Sequence, residues 1–199
     1  MNVVCLIQAR EGSTRFPGKV FADLNGTLVL SRVVVAARAI GGMNEVYAIW
    51  PQGYPTRAED DVLGRYADAA RKHKADVVVR LTGDCPLFDP QIGTELLRIW
   101  NLGKYEYVSN VWPKRTWPDG MDCEIFTADI LFRADAQATS AYDREHVTPW
   151  IREHAATYYN LTLPVNWSHV RLTVDTKEDL EWLRIALNAP RSSFDAPSK

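Results

Sequence analysis

The sequence has few cysteines and no long hydrophobic run, and both shortages narrow the class of protein. Its three cysteines, Cys5, Cys85 and Cys123, are far apart and form no Cys-x-x-Cys pair. A disulfide framework and a zinc site are therefore disfavoured, and a reducing cytoplasm is expected. No stretch approaches the length of a membrane-spanning helix, about 20 apolar residues. The first ten residues, MNVVCLIQAR, also lack the regions of a secretory signal, so we expect a cytoplasmic protein without membrane contact.

A surplus of positive charge is also lacking. Lys and Arg number 23 against 25 Asp and Glu, which gives a formal net charge of −2. Because nucleic-acid binding needs a positive surplus or stripe, no nucleic-acid partner is expected. The sequence has neither an internal repeat nor a low-complexity segment. We predict one domain over residues 1–190 and a flexible tail over residues 191–199.

Short apolar runs alternate with amphipathic segments along the chain. The runs predict strands at residues 3–7, 46–50, 75–81, 105–111, 121–126, 158–163 and 169–174. The 3.6-residue periodicity predicts helices at 28–40, 58–73, 91–100, 127–136, 142–154 and 177–187. This alternation predicts the α/β class, a doubly wound, mostly parallel sheet with helices on both faces.

A polar loop, QAREGSTRFPGK, follows the first predicted strand. In open α/β sheets, ligands bind at the carboxyl ends of the strands. Gly12 permits a tight turn, Ser13 offers a hydroxyl, and Arg10, Arg15 and Lys19 would neutralise a polyphosphate. The loop matches neither GxGxxG nor GxxxxGK[ST]. A phosphate-binding loop and a solvated basic loop both remain open from this pattern.

Two aspartates follow predicted strands and are candidate metal ligands. Asp84 comes after the strand at 75–81 and Asp175 after the strand at 169–174. Two carboxylates at one edge of a sheet could share Mg²⁺, which takes oxygen ligands and keeps phosphate oxygens and waters. The alternative makes Asp84 a turn residue and Asp175 the N-cap of the last helix, with Glu178 as its capping-box partner.

Six motifs together resemble a known family. They are QAREGSTRFPGKV, DDVLGRY, VVVRLTGDCPLFDP, PDGMDCEIF, REHVTPWI and VDTKEDLEWLR. In this order, over nearly the whole chain, they resemble the cytidylyltransferases of the spore coat polysaccharide biosynthesis protein F type, which are similar to CMP-Kdo synthetase and acylneuraminate cytidylyltransferase.

The resemblance implies a nucleotide-diphospho-sugar transferase fold and the reaction of CTP with an acidic sugar to a CMP-sugar and pyrophosphate. It implies Mg²⁺ held by Asp84 and Asp175, and catalysis by Arg10, Lys19 and Asp84. The nucleotide-binding residues that it implies are Ala9, Arg10, Gly12, Ser13, Arg15, Lys19, Asp61, Arg65 and Thr82. The implied acceptor-binding residues are Asp119, Asp122, Glu124, Arg144 and His146. Arg144 is expected to clamp a substrate carboxylate, and His146 to orient the attacking oxygen or act as a base.

One departure from the resemblance leaves alternatives open. Relatives are expected to carry a further helix and strand before DDVLGRY, where this chain has only residues 51–59. The protein could therefore be a catalytically silent nucleotide- or sugar-binding relative. A nucleotidyltransferase for another NTP is a third hypothesis. The seven tryptophans are consistent with packing in the core or in a homodimer interface.

Overall fold

The structure is a computed structural model that describes residues 1–10 and 12–188, and it is built on a six-stranded sheet. The strands are β1 Val3–Gln8, β2 Glu45–Ile49, β3 Val77–Thr82, β4 Tyr107–Ser109, β5 Glu124–Thr127 and β6 Tyr158–Asn160. The helices are α1 Val29–Arg38, α2 Val62–Lys72, α3 Pro90–Leu102, α4 Ala128–Gln137, α5 Ala141–His146, α6 Pro149–His154 and α7 Lys177–Asn188. Short 3₁₀ turns occur at Lys19–Phe21 and Pro51–Gly53.

The sheet has the strand order β2-β1-β3-β5-β4-β6. β5 is antiparallel to β3 and β4, whereas the pairs β1–β2, β1–β3 and β4–β6 are parallel. Five strands therefore point the same way, and the predicted mostly parallel sheet is confirmed. β1, the second strand from one edge, lies between β2 and β3, with Cys5 opposite both Val46 and Val79.

Helices cover both faces of the sheet because side chains alternate along each strand. On one face Cys5 and Val79 pack in a cluster with Leu96 of α3. On the other face Leu6 packs in a cluster with Tyr66 of α2 and further residues of α2 and α4. The strands β1 and β3 are buried from both sides, which is why they are mostly apolar, with Arg80 as the charged exception inside β3.

The helical structure predicted at 142–154 is confirmed except for its continuity, because the chain forms two short helices there. α5 ends at His146, and α6 begins at Pro149. Pro149 has no backbone N–H with which to continue the hydrogen bonds of α5, but it suits the first turn of a new helix. Val147, between the two helices, has φ 71°, which lies outside the helical region.

The predicted strand at 169–174 is also wrong. Within this described stretch the backbone makes an isolated bridge between Arg171 and Asp119 and joins no strand of the sheet. Its backbone hydrogen bonds go to two loops instead. Leu172 donates to the carbonyl of Asp119, and Val174 donates to the carbonyl of Asp84. The segment at 170–175 therefore ties these two loops together.

The predicted tail at 191–199 lies outside the described residues, as does Glu11. In the part of the chain that is described, no helix combines the length and apolar character needed to cross a lipid bilayer.

Candidate active site

A cavity of about 150 Å³ lies where β1 and β3 end. The two strands run side by side, and beyond them the N–H of Gly83 donates to the carbonyl of Gln8 at 2.8 Å. A side chain at Gly83 would place its Cβ 3.0 Å from that carbonyl oxygen, so glycine permits this close approach. The cavity is lined by Gln8, Arg10, Lys19, Val20, Thr82, Gly83, Asp84 and Asp175.

Lys19 is the buried cation of this cavity. It follows Gly18, whose φ of 70° turns the chain into the short 3₁₀ helix, and its side chain is only 9% exposed. Its Nζ lies 2.6 Å from Oδ2 of Asp84 and 2.7 Å from Oδ1 of Asp175. Burial lowers the pKa of Lys19, but the charges and hydrogen bonds of the two carboxylates outweigh it and raise the pKa above its ordinary value. The ammonium therefore stays charged.

Asp175 is placed by the 170–175 segment and paired with several cations. Burial alone would raise the pKa of its carboxyl, yet hydrogen bonds from Lys19 and Arg171 lower that pKa to about 2. Arg171 donates to Oδ2 of Asp175 at 2.7 Å, and Arg15 lies 3.3 Å from the same oxygen. Sequence reasoning did not single out Arg171. Its position four residues before Asp175 could have indicated this ion pair, because alternate residues of an extended segment lie on the same side.

The alternative role of Asp175 as the N-cap of α7 is wrong. The backbone N–H of Asp179 donates to Oγ1 of Thr176 at 3.2 Å, and the N–H of Thr176 donates to Oδ2 of Asp179 at 2.9 Å. This reciprocal pair is a capping box that begins one residue later than expected, with Asp179 in place of Glu178. The carboxylate of Asp175 therefore faces the cavity and its cations.

The loop predicted to bind a triphosphate borders the cavity. Arg10 lines it, and its Nη1 lies 3.7 Å from Oε1 of Glu145 on α5. Ser13 is buried, whereas the side chain of Arg15 is mostly exposed. The N–H of Ala9 donates to the carbonyl of Ile49 at 3.2 Å, which continues the pairing with β2. Gly12 lies outside the cavity lining, beside Glu59. The structure thus brings Arg10, Lys19, Thr82, Asp84 and Asp175 together in one lining.

Three further predicted residues lie in a separate network around the start of α2. Asp61 caps α2 by accepting from the N–H of Gly64, and its Oδ1 lies 2.6 Å from Nη2 of Arg144. Arg144 is also 3.0 Å from Asp135. Arg65 is buried and donates to the carbonyls of residues 58 and 59. In this structure these side chains bind protein groups, and their predicted roles toward cytidine and a substrate carboxylate stay predictions.

Glu124 is a buried charge bound by protein donors. Its side chain is 1% exposed and lies 2.6 Å from both Arg80 and Arg152, while the hydroxyl of Tyr107 donates to it. Burial would raise the pKa of Glu124, but the two arginines and Tyr107 lower it to about 2. The structure therefore gives Glu124 a place in a buried ion network, rather than the acceptor-facing place expected from the sequence.

The remaining predicted acceptor residues lie nearer the surface. Asp122 forms a two-pronged ion pair with Arg115, and burial nevertheless raises the pKa of Asp122. Asp119 lies 3.6 Å from Arg171, which links its loop to Asp175. His146 is the exposed last residue of α5, with its ring centroid 4.5 Å from that of Tyr142. Of this group, Asp119 is joined to the cavity through Arg171.

Two carboxylates at the cavity fit a divalent cation that is completed by other ligands. Because Asp84 and Asp175 both contact one nitrogen atom, their oxygens are close enough to share one ion. Among residues 1–10 and 12–188, no group of three or more His, Cys, Asp or Glu side chains could hold a metal. Mg²⁺ suits such a partial site, because it commonly binds one or two carboxylates together with phosphate oxygens and waters.

Comparison with known proteins identifies the family. A model of the cytidylyltransferase family matches residues 4–48 and 56–187. The chain belongs to the cytidylyltransferase family. The match is interrupted at the connection between β2 and α2, the region in which the sequence is shorter than expected.

Individual cytidylyltransferases and their relatives are similar over most of the chain. Spore coat polysaccharide biosynthesis protein SpsF of Bacillus subtilis is 31% identical, with 92% of this chain and 85% of that protein covered. The structure of a cytidylyltransferase from Leptospira borgpetersenii has a TM-score of 0.83 at 31% identity, covering 96% of this chain and 89% of that one. A CMP:2-keto-3-deoxy-manno-octonic acid synthetase complexed with CTP has a TM-score of 0.69 at 17% identity, covering 94% and 98%, and supports the fold. The expected nucleotide-diphospho-sugar transferase fold is thereby confirmed.

Proposed function

We propose that this cytidylyltransferase transfers CMP from CTP to an acidic sugar and releases pyrophosphate, with Mg²⁺ as the metal and surface polysaccharide synthesis as the setting. The observation that carries the proposal is the convergence of Lys19, Asp84 and Asp175 in one cavity at the carboxyl ends of β1 and β3. Ligands of open α/β sheets bind at this edge.

The names of relatives support the acidic sugar. A 3-deoxy-manno-octulosonate cytidylyltransferase of Trichlorobacter lovleyi is 35% identical over 45% of this chain and 41% of that protein. That enzyme is named for a sugar acid. The Bacillus subtilis relative is named for polysaccharide biosynthesis. Because the first of these matches covers less than half of each chain, the substrate class is part of the proposal.

The residues of the cavity supply what nucleotidyl transfer needs. An acceptor hydroxyl oxygen attacks the α-phosphorus and loses its proton to water, while the bond from that phosphorus to the pyrophosphate oxygen breaks. Arg10 and Lys19 would bind the phosphate oxygens and stabilise the charge that collects on the leaving pyrophosphate. Asp84 and Asp175 would hold Mg²⁺, which when bound supplies further positive charge to the triphosphate. No protein nucleophile is required.

The acceptor would bind beside the segment that carries Asp175. Asp119 and Asp122 lie on a loop that is held to this segment by backbone hydrogen bonds and by Arg171. At Gly120, φ is 102° and a Cβ would lie 2.8 Å from the backbone of Leu172, so the loop sits directly against the segment. Carboxylates at this place could accept hydrogen bonds from sugar hydroxyls.

The experiment is pyrophosphate release with each of the four NTPs and a panel of sugar acids, with Mg²⁺ present or removed by chelation. We expect release with CTP, a sugar acid and Mg²⁺ together, and a CMP-sugar product by mass spectrometry. Asp84→Asn should lose the activity. Asp129→Asn, which changes an 82% exposed side chain on α4, is the matched control and should keep it.

Two outcomes would contradict the proposal. Pyrophosphate release from another NTP at the same rate as from CTP would contradict CTP specificity. It would favour the alternative, a nucleotidyltransferase for another NTP. CTP binding by calorimetry without release for any acceptor in the panel would favour the silent binding relative.

A further inference from the structure

Lys19 lies in the place between the two carboxylates that a shared metal ion would take. Its ammonium is in hydrogen-bond contact with one oxygen of Asp84 and one of Asp175. The other oxygen of Asp175 is bound by Arg15 and Arg171. Among the ion pairs of the described residues, Lys19 is the cation that joins both aspartates.

This arrangement is unfavourable for a free divalent ion. A cation that bound both carboxylates would have to lie next to the ammonium of Lys19, and two positive charges at that distance repel strongly in a sheltered site. The side chain of Lys19 is 9% exposed, so water screens this repulsion poorly. A metal ion can therefore bind both carboxylates only after the ammonium of Lys19 has moved away from them.

We propose that Lys19 blocks the metal site in the absence of nucleotide. When the triphosphate binds, its phosphate oxygens attract the ammonium away from the two carboxylates and leave the site free for the metal. Lysine can make this move because its charge is carried on a flexible four-carbon stem. The cavity into which it would turn is lined by Arg10 and Thr82, beside the loop expected to hold the phosphates. The metal then enters with the nucleotide, and metal binding without nucleotide is weak.

This inference rests on the proposed function, because it takes Asp84 and Asp175 as the metal ligands. It goes further by giving Lys19 two successive partners, the aspartates before nucleotide binding and the triphosphate afterwards. It also reverses the simple expectation for a substitution at this position. Loss of the lysine charge should weaken nucleotide binding but strengthen binding of the metal alone.

The test is titration of Mn²⁺ into the protein without nucleotide, with free Mn²⁺ followed by electron paramagnetic resonance. Lys19→Met should bind Mn²⁺ about tenfold or more tightly than the wild type, in the range of common coupling between ligands. Lys177→Met removes the same charge from an exposed lysine two positions after Asp175 and should bind Mn²⁺ as the wild type does. Adding Asp175→Asn to Lys19→Met should abolish the gain.

Folding of each variant is checked by near-ultraviolet circular dichroism. If Lys19→Met does not fold, Lys19→Gln serves instead, since its amide can donate a hydrogen bond without charge. A wild type that binds Mn²⁺ without nucleotide as tightly as the uncharged variant would overturn the inference. If Mg²⁺-dependent turnover persists in that case, the proposed function stands and the closing role of Lys19 fails. Metal-independent turnover would overturn both.

Discussion

The buried ion network of Glu124 gives the sharpest prediction about stability. Glu124 is almost completely buried and is bound by Arg80, Arg152 and Tyr107. A carboxyl whose pKa falls from 4.5 to about 2 on folding adds about 3 kcal/mol to the free energy of unfolding at neutral pH. Glu124→Gln removes this charge and leaves two arginines without it, which should cost about 3 to 5 kcal/mol.

The loss should be visible in thermal and urea unfolding. For a chain of this size, 1 kcal/mol corresponds to about 2 to 4 °C, so the melting temperature should fall by about 6 to 20 °C. Glu95→Gln is the matched control, because Glu95 forms an exposed ion pair with Arg98 on α3. Its melting temperature should stay close to that of the wild type.

The pH dependence has a defined sign. Because folding lowers the pKa of Glu124, its contribution is complete above the unfolded value of 4.5 and is lost as the pH falls toward about 2. The difference in unfolding free energy between the wild type and Glu124→Gln should therefore narrow by about 2 kcal/mol between about pH 7 and about pH 3. If Glu124→Gln had an unchanged melting temperature and a raised KM for the acceptor, this reasoning would be refuted. Glu124 would then be an acceptor-binding residue.

Three further substitutions, with Gly53→Ala as a control, distinguish a residue that acts in the cavity from residues that support its structure. Asp175→Asn should lower CTP turnover about 100-fold. It should also lower the free energy of unfolding in urea by about 2 kcal/mol, because the neighbouring cations lose their carboxylate partner. Full turnover would exclude Asp175 as a required metal ligand. Thr176→Ala should cost about 1 kcal/mol through the lost cap of α7 while CTP turnover is retained, and an unchanged urea midpoint would contradict the capping box. Gly83→Ala should cost about 1 to 3 kcal/mol, since its Cβ would press on the carbonyl of Gln8. Gly53→Ala, with open space around its Cβ, should be nearly neutral, and equal midpoints for the two alanine variants would show that the close approach is unimportant.

The sequence by itself determined the fold class and the location of the site. β1 begins with five apolar residues and β3 with three, because both faces of the sheet are covered, and these short apolar runs can be recognised without a structure. The loop with Arg10 and Lys19 and the turn with Asp84 follow these strands directly. Since parallel strands bring their carboxyl ends to one edge, their proximity could be predicted from local sequence alone.

Only the tertiary structure decided how Asp175 reaches that edge. The apolar segment before it reads as a strand, but its hydrogen bonds go to the loops of Asp84 and Asp119, and such long-range pairing leaves no local pattern. For the same reason, the local sequence does not determine which charged residues form ion pairs. Arg144 and Glu124 could each face a substrate in the sequence, yet folding places Asp61 beside one and two arginines beside the other. The sequence supplies the charges, and the packing of distant segments decides which of them meet.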